Sequence, residues 1–577
     1  IQQVPALREQ NGRGTQPLLV TVRNLGSPME GTIRAPDVVQ PVSLQHGDQT
    51  IEINVPAVST AAEHEISVET GGRSLAKRTV LFKPVRKLTV YVLPHSHTDI
   101  GYTEIQPAVE AKQVQNLLDG IGAARRTANY PEGARFVWNV EVLWAADLYL
   151  NRLNQAQRED FIAAVKKGQV ALNGMYLNEL TGLCRPEELI QLFRFGTRLT
   201  KLTGVPLEAA MISDVPGYTW GTVTAMNQAG IKYFSTAPNH FDRIGTILRE
   251  WENKPFYWIG PDEKSKVLVW IPFWGYAMSH VYHHFSLNLV GDLVNGLESR
   301  HFPYDIAYVR WSGHGDNAAP DPEICDFIKD WNAKYTYPKF IISSARDAFR
   351  AFEERYGDKL PKVRGDWTPY WEDGAGSSAL ETAMNRQSSD RLVQAQTLFA
   401  MSNDSKYPAS AFEAAWRNIL LYSEHTWGAW CSISEPERKE TREQWAIKRS
   451  YAEQADRQSR ELLDRAMQLG EESDDDQSRF EVVNTLSWKR TELVQVPRRF
   501  AMAGDRVIDE KGAPVSSQRL ASGELVLLAE EIPGFGTRRY QVVAGAAICK
   551  SRASAENLVL DSGAIRMKVD AKTGGIV

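Results

Sequence analysis

Leu88-Thr-Val-Tyr-Val-Leu93, running straight into Pro94-His95-Ser96-His97-Thr98-Asp99, is the stretch on which the reading of this chain turns. The first half is an unbroken apolar, β-branched run, the pattern of a strand buried on both faces. The second half crowds two imidazoles and a carboxylate into the point where that strand ends. In open or barrel-like α/β sheets, ligands bind at the carboxyl ends of the strands. Residues two apart in an extended segment project to the same side. His97 and Asp99 can therefore aim at one point, and so can His95 and His97. A metal that accepts nitrogen and hard oxygen suits such a set, with zinc the first choice. The same residues would also serve as a hydrogen-bonded turn closed by Pro94 and Asp99, and this stretch alone leaves both readings open.

Outward from this strand, residues 86–375 repeat a pattern of strand, loop and helix. Further strands are expected at 135–139, 169–173, 209–213, 233–236, 267–271, 307–311 and 340–343, with helices between them such as 157–167 and 187–197. That alternation predicts a parallel sheet with helical crossovers, and its seven or eight units suggest a seven-stranded-type parallel β/α barrel. Several strands end in polar residues: Asn139 and Glu141, Asp214-Val-Pro-Gly217, and Gly313-His314-Gly315-Asp316-Asn317. In a barrel these ends line one pocket, which would bring Asp214 toward His97 and Asp99. A lone Asp at a strand end also commonly caps the following helix.

The flanking regions read differently. Residues 1–85 alternate apolar and polar side chains between turn signals and predict a small antiparallel β-sandwich. Residues 376–470 carry apolar residues at helical spacing, as in Phe412, Trp416, Ile419 and Leu420, and predict an antiparallel helical bundle. Ser423-Glu424-His425-Thr426-Trp427-Gly428 closes its central helix, with Gly428 expected as the C-cap. An acidic linker at 470–477 leads to C-terminal β-sandwich structure over 478–577. The chain stops on Lys572-Thr-Gly-Gly-Ile-Val577, a hairpin turn whose second strand is expected beyond the sequence in hand. The fold class is therefore multidomain, α/β plus α plus β.

A net charge of -5 gives no electrostatic footprint for nucleic acid. No run of about eighteen apolar residues offers a membrane span. The four cysteines lie far apart, which excludes a thiolate zinc knuckle and a disulfide scaffold. The first residue is Ile and no leader precedes it, so a leader was cleaved or the sequence is trimmed; a periplasmic or secreted protein is expected over a cytoplasmic one. Sixteen Trp and twenty Tyr supply flat faces suited to sugar rings or to the core. Gly365-Asp-Trp-Thr-Pro-Tyr-Trp-Glu-Asp-Gly374 interleaves aromatics with carboxylates, as a sugar subsite or a Trp-packed loop would.

With these residues in view, the chain from about 85 onward resembles glycoside hydrolase family 38, the retaining α-mannosidases. The family's HxHxD signature maps onto Pro94-His-Ser-His-Thr-Asp99, and its catalytic-aspartate segment onto Ile212-Ser-Asp214-Val-Pro-Gly217. Its last zinc ligand maps onto Glu424-His425, and its Gly-Asp-Gly segment onto Gly315-Asp316. Phe480-Glu-Val-Val-Asn-Thr-Leu-Ser-Trp488 is similar to its β domains. The resemblance implies a zinc held by His97, Asp99, Asp214 and His425, with Asp214 also the nucleophile. One departure stands out. Where Golgi-type members carry an Asp as general acid, this chain has Pro272-Phe-Trp-Gly-Tyr-Ala277, with Ala277 in its place. Asp316 is then the first candidate acid/base, followed by Asp373 and Glu372. His95, Trp274, Tyr276, Trp371 and Asp373 are the candidate sugar contacts.

The expected activity is hydrolysis of terminal α-mannosides from an oligosaccharide or glycoside, acting from the chain end and with retention. Two alternatives remain: a metal-dependent carbohydrate deacetylase, in which zinc would activate water, and a glycan-binding pseudo-enzyme, which Ala277 favours. The expected partner is the sugar substrate, with no nucleic acid and no membrane, and possibly a second copy of the chain.

Overall fold

In a computed structural model, the chain is described except for residues 11, 240–249, 368–370, 403–406, 469–477 and 550–552 and the side chains of Gln10 and Asp373. The expected acidic linker and the centre of the aromatic 365–374 stretch thus lie outside the described residues. The chain divides into two units, residues 1–389 with 413–457, and residues 390–412 with 458–577. No described helix is long and apolar enough to cross a membrane.

The first unit opens with two antiparallel four-stranded sheets. Gln2–Gln3, Arg8–Gln10 and Gly47–Pro56 all pair with Arg13–Asn24, and the second sheet runs Val38–Leu44, Met29–Ala35, Ala62–Thr70, Arg73–Phe82. Inward-facing Leu18, Val20, Ile33, Ile53, Val55 and Ile66 form one buried cluster, as the period-two alternation requires.

The parallel region follows. Strand β1 (Thr89–Pro94) lies between β8 (Ile306–Trp311) and β9 (Lys339–Ile342), all parallel. Strands β2 (Trp138–Val140) and β3 (Val170–Leu172) pair in parallel. Strands β4 (Ala209–Asp214), β5 (Tyr233–Pro238) and β7 (Lys266–Trp270) make a third parallel patch. A bridge between His95 and Asn139 joins the first patch to the second. The Gly174 amide, donating to the Ala209 carbonyl at 2.8 Å, joins the second to the third. Leu88, Val90, Val92 and Leu93 are fully buried, as a central strand's composition demands. Helix Gln106–Arg126 reaches β2 because Gly120 has no side chain: a Cβ there would stand 2.6 Å from Trp138.

The expectation of uniformly parallel strands needs one correction. Strand β6 (Phe256–Ile259) runs antiparallel to β7 and carries β10 (Lys362–Val363) on its far side. Only residues 260–265 separate β6 from β7, too short a connection for the crossover that a parallel pair needs. The strands expected at 135–139 and 169–173 are also shorter than their apolar runs.

Helices Ala379–Ser402, Ala409–Ser423 and Lys439–Met467 contribute to both units. Within the first, Asn385 Nδ2 donates to the Ser423 hydroxyl at 3.1 Å and Lys448 Nζ to the Glu424 carbonyl at 2.8 Å. Gly428 does not cap the middle helix, which ends at Ser423. It turns at φ 70° where a side chain would collide with Trp445.

The second unit holds a β-sandwich. Arg479–Asn484, Gly536–Val543, Arg506–Asp509 and Pro514–Val515 form one antiparallel sheet, and Arg490–Val496, Leu525–Ile532 and Ser517–Arg519 the other. Phe480, Val507, Leu525, Leu527 and Val542 share its core. The terminal hairpin closes on itself, with Ile576 bridged to Val569.

Candidate metal centre

The site is built where strands β1 and β4 end. His95 is still tied to the neighbouring strands, by its bridge to Asn139 and its amide bond to the Trp311 carbonyl; past it the chain leaves the sheet and is held largely by asparagines. Asn317 is the main clamp. Its amide donates to the His97 carbonyl at 2.8 Å. Its side chain accepts from the Asp99 amide at 3.2 Å and donates back to the Asp99 carbonyl at 3.1 Å. Asn178 Nδ2 donates to the Thr98 carbonyl at 3.0 Å, and the Asn178 carbonyl accepts from the His425 amide at 3.0 Å. One asparagine thus registers the 97–99 loop against the segment that leaves helix Ala409–Ser423.

Four side chains converge there. Nε2 of His97 and Nε2 of His425 lie 3.0 and 3.1 Å from Asp99 Oδ1, and His425 Nε2 lies 3.5 Å from Asp214 Oδ2. One ligand atom from each of the four falls within 4.8 Å of the others. A tetrahedron of donors at zinc-ligand distances of roughly 2.1 Å has edges of about 3.4 Å, close to the separations seen. His97, Asp99 and His425 are buried, and Asp214 is the most open of the four.

The electrostatics call for a cation. Burial opposes protonation of His97, yet the carboxylates of Asp99 and Glu141 hold it well above its ordinary pKa. Burial likewise opposes His425, and Glu424 and Asp214 raise it. Both Nε2 atoms, and Nδ1 of His97, are buried and make no hydrogen bond among the described residues; the two Nε2 atoms are the ones that face the Asp99 carboxylate. Each imidazole backs its other nitrogen onto a carboxylate: His97 Nδ1 lies 3.5 Å from Glu141 Oε2, and His425 Nδ1 lies 2.5 Å from Glu424 Oε1. Such partners fix the tautomer and ring orientation of a ligating histidine. Each carboxylate has a buried cation in turn, Arg310 for Glu141 at 3.0 Å and Lys448 for Glu424 at 3.7 Å. These residues fit a divalent metal.

Asp214 ends β4 in the left-handed region, at φ 71°. Its Oδ1 accepts from the Tyr276 hydroxyl at 2.6 Å and from Asn239 Nδ2 at 2.8 Å, which leaves Oδ2 toward His425. The Tyr276 ring also lies 4.7 Å from that of His97, and Trp371 stacks on His425 at 6.1 Å and 14°. Of the candidate sugar contacts, Tyr276 and Trp371 therefore border the four ligands. Trp274 packs edge-on against Phe273 and Tyr282. Asp373 begins a short helix, Asp373–Ser377, and its side chain lies outside the described residues.

His95 requires a correction. It is fully buried beneath the cluster, where Arg310 Nε donates to its Nε2 at 3.2 Å. Burial and the Arg310 charge push it well below its ordinary pKa, so it is a neutral acceptor. A sugar has no route to it in this structure.

Asp316 sits on the loop after β8. Its Oδ1 is 3.9 Å from His280 Nε2, and its side chain is 31% exposed. Burial, reinforced by the Asp99 carboxylate, raises it to about 7. Ala277 is buried at the start of helix Met278–Tyr282, and Tyr276 beside it reaches the cluster instead.

Sequence reasoning placed Glu141 and Asn317 at strand ends without a role and passed over Arg310, Asn178 and Lys448. Arg310 alone carried a legible signal, a charge inside the apolar run Ala307-Tyr-Val-Arg-Trp311 of a buried strand.

Residues 87–373 match the model of the glycosyl hydrolases family 38 N-terminal domain, and residues 369–477 match that of the alpha mannosidase middle domain. The chain is similar to alpha-mannosidase F of Dictyostelium discoideum, 21% identical over 463 residues that make up 71% of this chain and 45% of that protein. Among solved structures, an alpha-mannosidase from Enterococcus faecalis V583 has a TM-score of 0.62 at 17% identity, covering 85% of this chain and 61% of its own. A second E. faecalis structure, described as a protein in glycosyl hydrolase family 38, has a TM-score of 0.58 at 17% identity, over 85% and 59%. At these identities the solved structures speak for the fold alone, and the chain spans 45% of the curated relative's length.

Proposed function

The chain belongs to glycoside hydrolase family 38, and from that premise we propose that it is a zinc-dependent, retaining α-mannosidase that removes terminal mannose from an oligosaccharide or glycoside. The observation that carries this reading is the convergence of His97, Asp99, Asp214 and His425 from three separate stretches of chain, with one ligand atom of each within 4.8 Å of the others. These four would hold the ion. Bound there, it supplies positive charge and open positions for two neighbouring sugar hydroxyls, which favours the manno arrangement.

The remaining chemistry belongs to the side chains. Asp214 is the proposed nucleophile. Tyr276 and Asn239 hold its carboxyl in one rotation through Oδ1. An attack by Asp214 on the anomeric carbon forms a glycosyl ester as the bond to the leaving oxygen breaks. Asp316 gives its proton to that oxygen. It then takes a proton from the water that displaces Asp214, which restores both carboxyls. Its pKa of about 7 supports this double use, because an acid/base works best near the ambient pH. With Ala277 in the position of the family acid, Asp316 is the carboxyl at hand.

The test is a panel of aryl α-glycosides assayed with and without chelator. Hydrolysis of the α-mannoside alone, lost on chelation and restored by zinc, is the expected outcome. Acetate release from an acetylated sugar without glycoside cleavage would replace the reading with a deacetylase. Mannose binding without turnover would leave a pseudo-enzyme.

A further inference from the structure

We propose that Glu141 is the positioning residue that joins the metal ligand His97 to the strand carrying Asp214, with Arg310 as its buried counter-charge. Glu141 and Arg310 side chains are both 0% exposed. Glu141 Oε2 accepts from the Thr98 amide at 2.9 Å and faces His97 Nδ1 at 3.5 Å. Its Oε1 accepts from the Ser213 hydroxyl and from Arg310 Nη2 at 3.0 Å. All four neighbours are donors once His97 carries its proton on Nδ1. Only an ionised carboxylate offers acceptors to all of them; an amide would turn a donor against at least one.

The consequence is geometric. His97 Nδ1 makes no hydrogen bond among the described residues, and the acceptor it faces is Glu141 Oε2 at 3.5 Å; a proton on Nδ1 toward that oxygen leaves Nε2 free for the ion. Through Ser213 the same carboxylate holds the residue next to Asp214. Arg310 fastens that strand a second time, donating from Nη1 to the Ile212 carbonyl at 2.7 Å. One buried group therefore sets the register between the two strand ends that carry three of the four ligands.

This inference rests on reading the cluster as a metal site, and the experiment separates the two. Zn2+ affinity is measured by competition with a chromophoric chelator, alongside melting of the metal-free protein, for wild type, Ser213→Ala, Glu141→Gln and the double variant Glu141→Gln/Arg310→Met. Glu141→Gln is expected to weaken zinc binding by about 10–100-fold, the usual effect of losing a partner behind a ligand. Ser213→Ala, which cuts the link to the Asp214 strand but leaves His97 its partner and Arg310 its bond to the Ile212 carbonyl, should also lose affinity, but several-fold less than Glu141→Gln. The double variant removes the unpaired buried charge, so its metal-free melting should return toward wild type while its zinc affinity stays low.

Wild-type zinc affinity in Glu141→Gln or in the double variant would overturn the inference and leave Glu141 a merely structural partner of Arg310. So would an equal loss in Ser213→Ala. Should the double variant not fold, the comparison of Glu141→Gln with Ser213→Ala decides the matter. A wild-type protein that binds no zinc would overturn the metal reading itself.

Discussion

Replacing Asp316 by asparagine should erase the alkaline limb of the pH–rate profile and most of the rate on substrates with poor leaving groups. The limb follows from the titration of one carboxyl at about 7. An acid with that pKa is about half protonated at pH 7, about a tenth at pH 8 and about a hundredth at pH 9, so kcat/KM should fall about tenfold per unit above the midpoint. Burial is the largest cause of the raised value, and burial does not depend on the metal. The push from Asp99 and Asp214 and the opposing pull of His97 and His425 both lapse when a cation occupies the cluster, and burial remains. A general acid contributes about 10²–10⁴-fold. An alkyl α-mannoside should therefore lose about that much in Asp316→Asn, and a nitrophenyl α-mannoside far less in its first step, because nitrophenolate departs without a proton. The assay is kcat/KM against pH for both substrates in both proteins. An alkaline limb that persists in the variant, or equal losses on the two leaving groups, would refute the assignment.

Asp214→Asn should lower turnover by about 10³-fold or more while leaving the far-UV spectrum and a weakened metal site intact; near-normal turnover would dismiss it as the nucleophile. Metal analysis should find about one zinc per chain, and zinc at about a hundred times its dissociation constant should stabilise the stripped protein by about 2.7 kcal/mol, read as a shift in chemical unfolding. Burial acts to raise Glu141, but His97 and Arg310 outweigh it and bring the carboxyl down to about 2. Its folded pKa is depressed below the unfolded value, so its contribution is present above about 4.5 and lost as pH falls toward about 2. The slope of stability against pH across that window should flatten in Glu141→Gln. Gly428→Ala must accept φ 70° and a Cβ 2.5 Å from Ser432 Oγ and Trp445 Nε1, and should cost about 2–4 kcal/mol in urea unfolding.

The strand–helix alternation was legible because a buried parallel strand and an amphipathic helix write different periods into the chain. His97 and Asp99 were legible from spacing alone, since both lie on one extended segment. His425 was not. Nothing local separates it from a capping histidine, and it entered only through the family resemblance; the contact that makes it a ligand partner spans to Asp99 at 3.1 Å. The failures have the same root. Phe256–Ile259 is not among the expected strands, and its antiparallel direction depends on a connection length rather than on composition. His95 shares the spacing of His97, but it is still within the sheet and fully buried against Arg310, which donates to its Nε2. Glu141, Asn178 and Asn317 act on backbone 43, 80 and 218 residues away, which only the folded chain brings near them.

Asp214 completes β4 at φ 71°, a conformation that glycine adopts freely and that costs a residue with a Cβ about 1 kcal/mol or more. Glycine would relieve that strain but would leave the Tyr276 hydroxyl and Asn239 without their shared acceptor, a loss of the same size or larger. The backbone at this point is thus held in a costly shape by the very contacts that orient its carboxyl, and a variant that relaxed it would give up those contacts too.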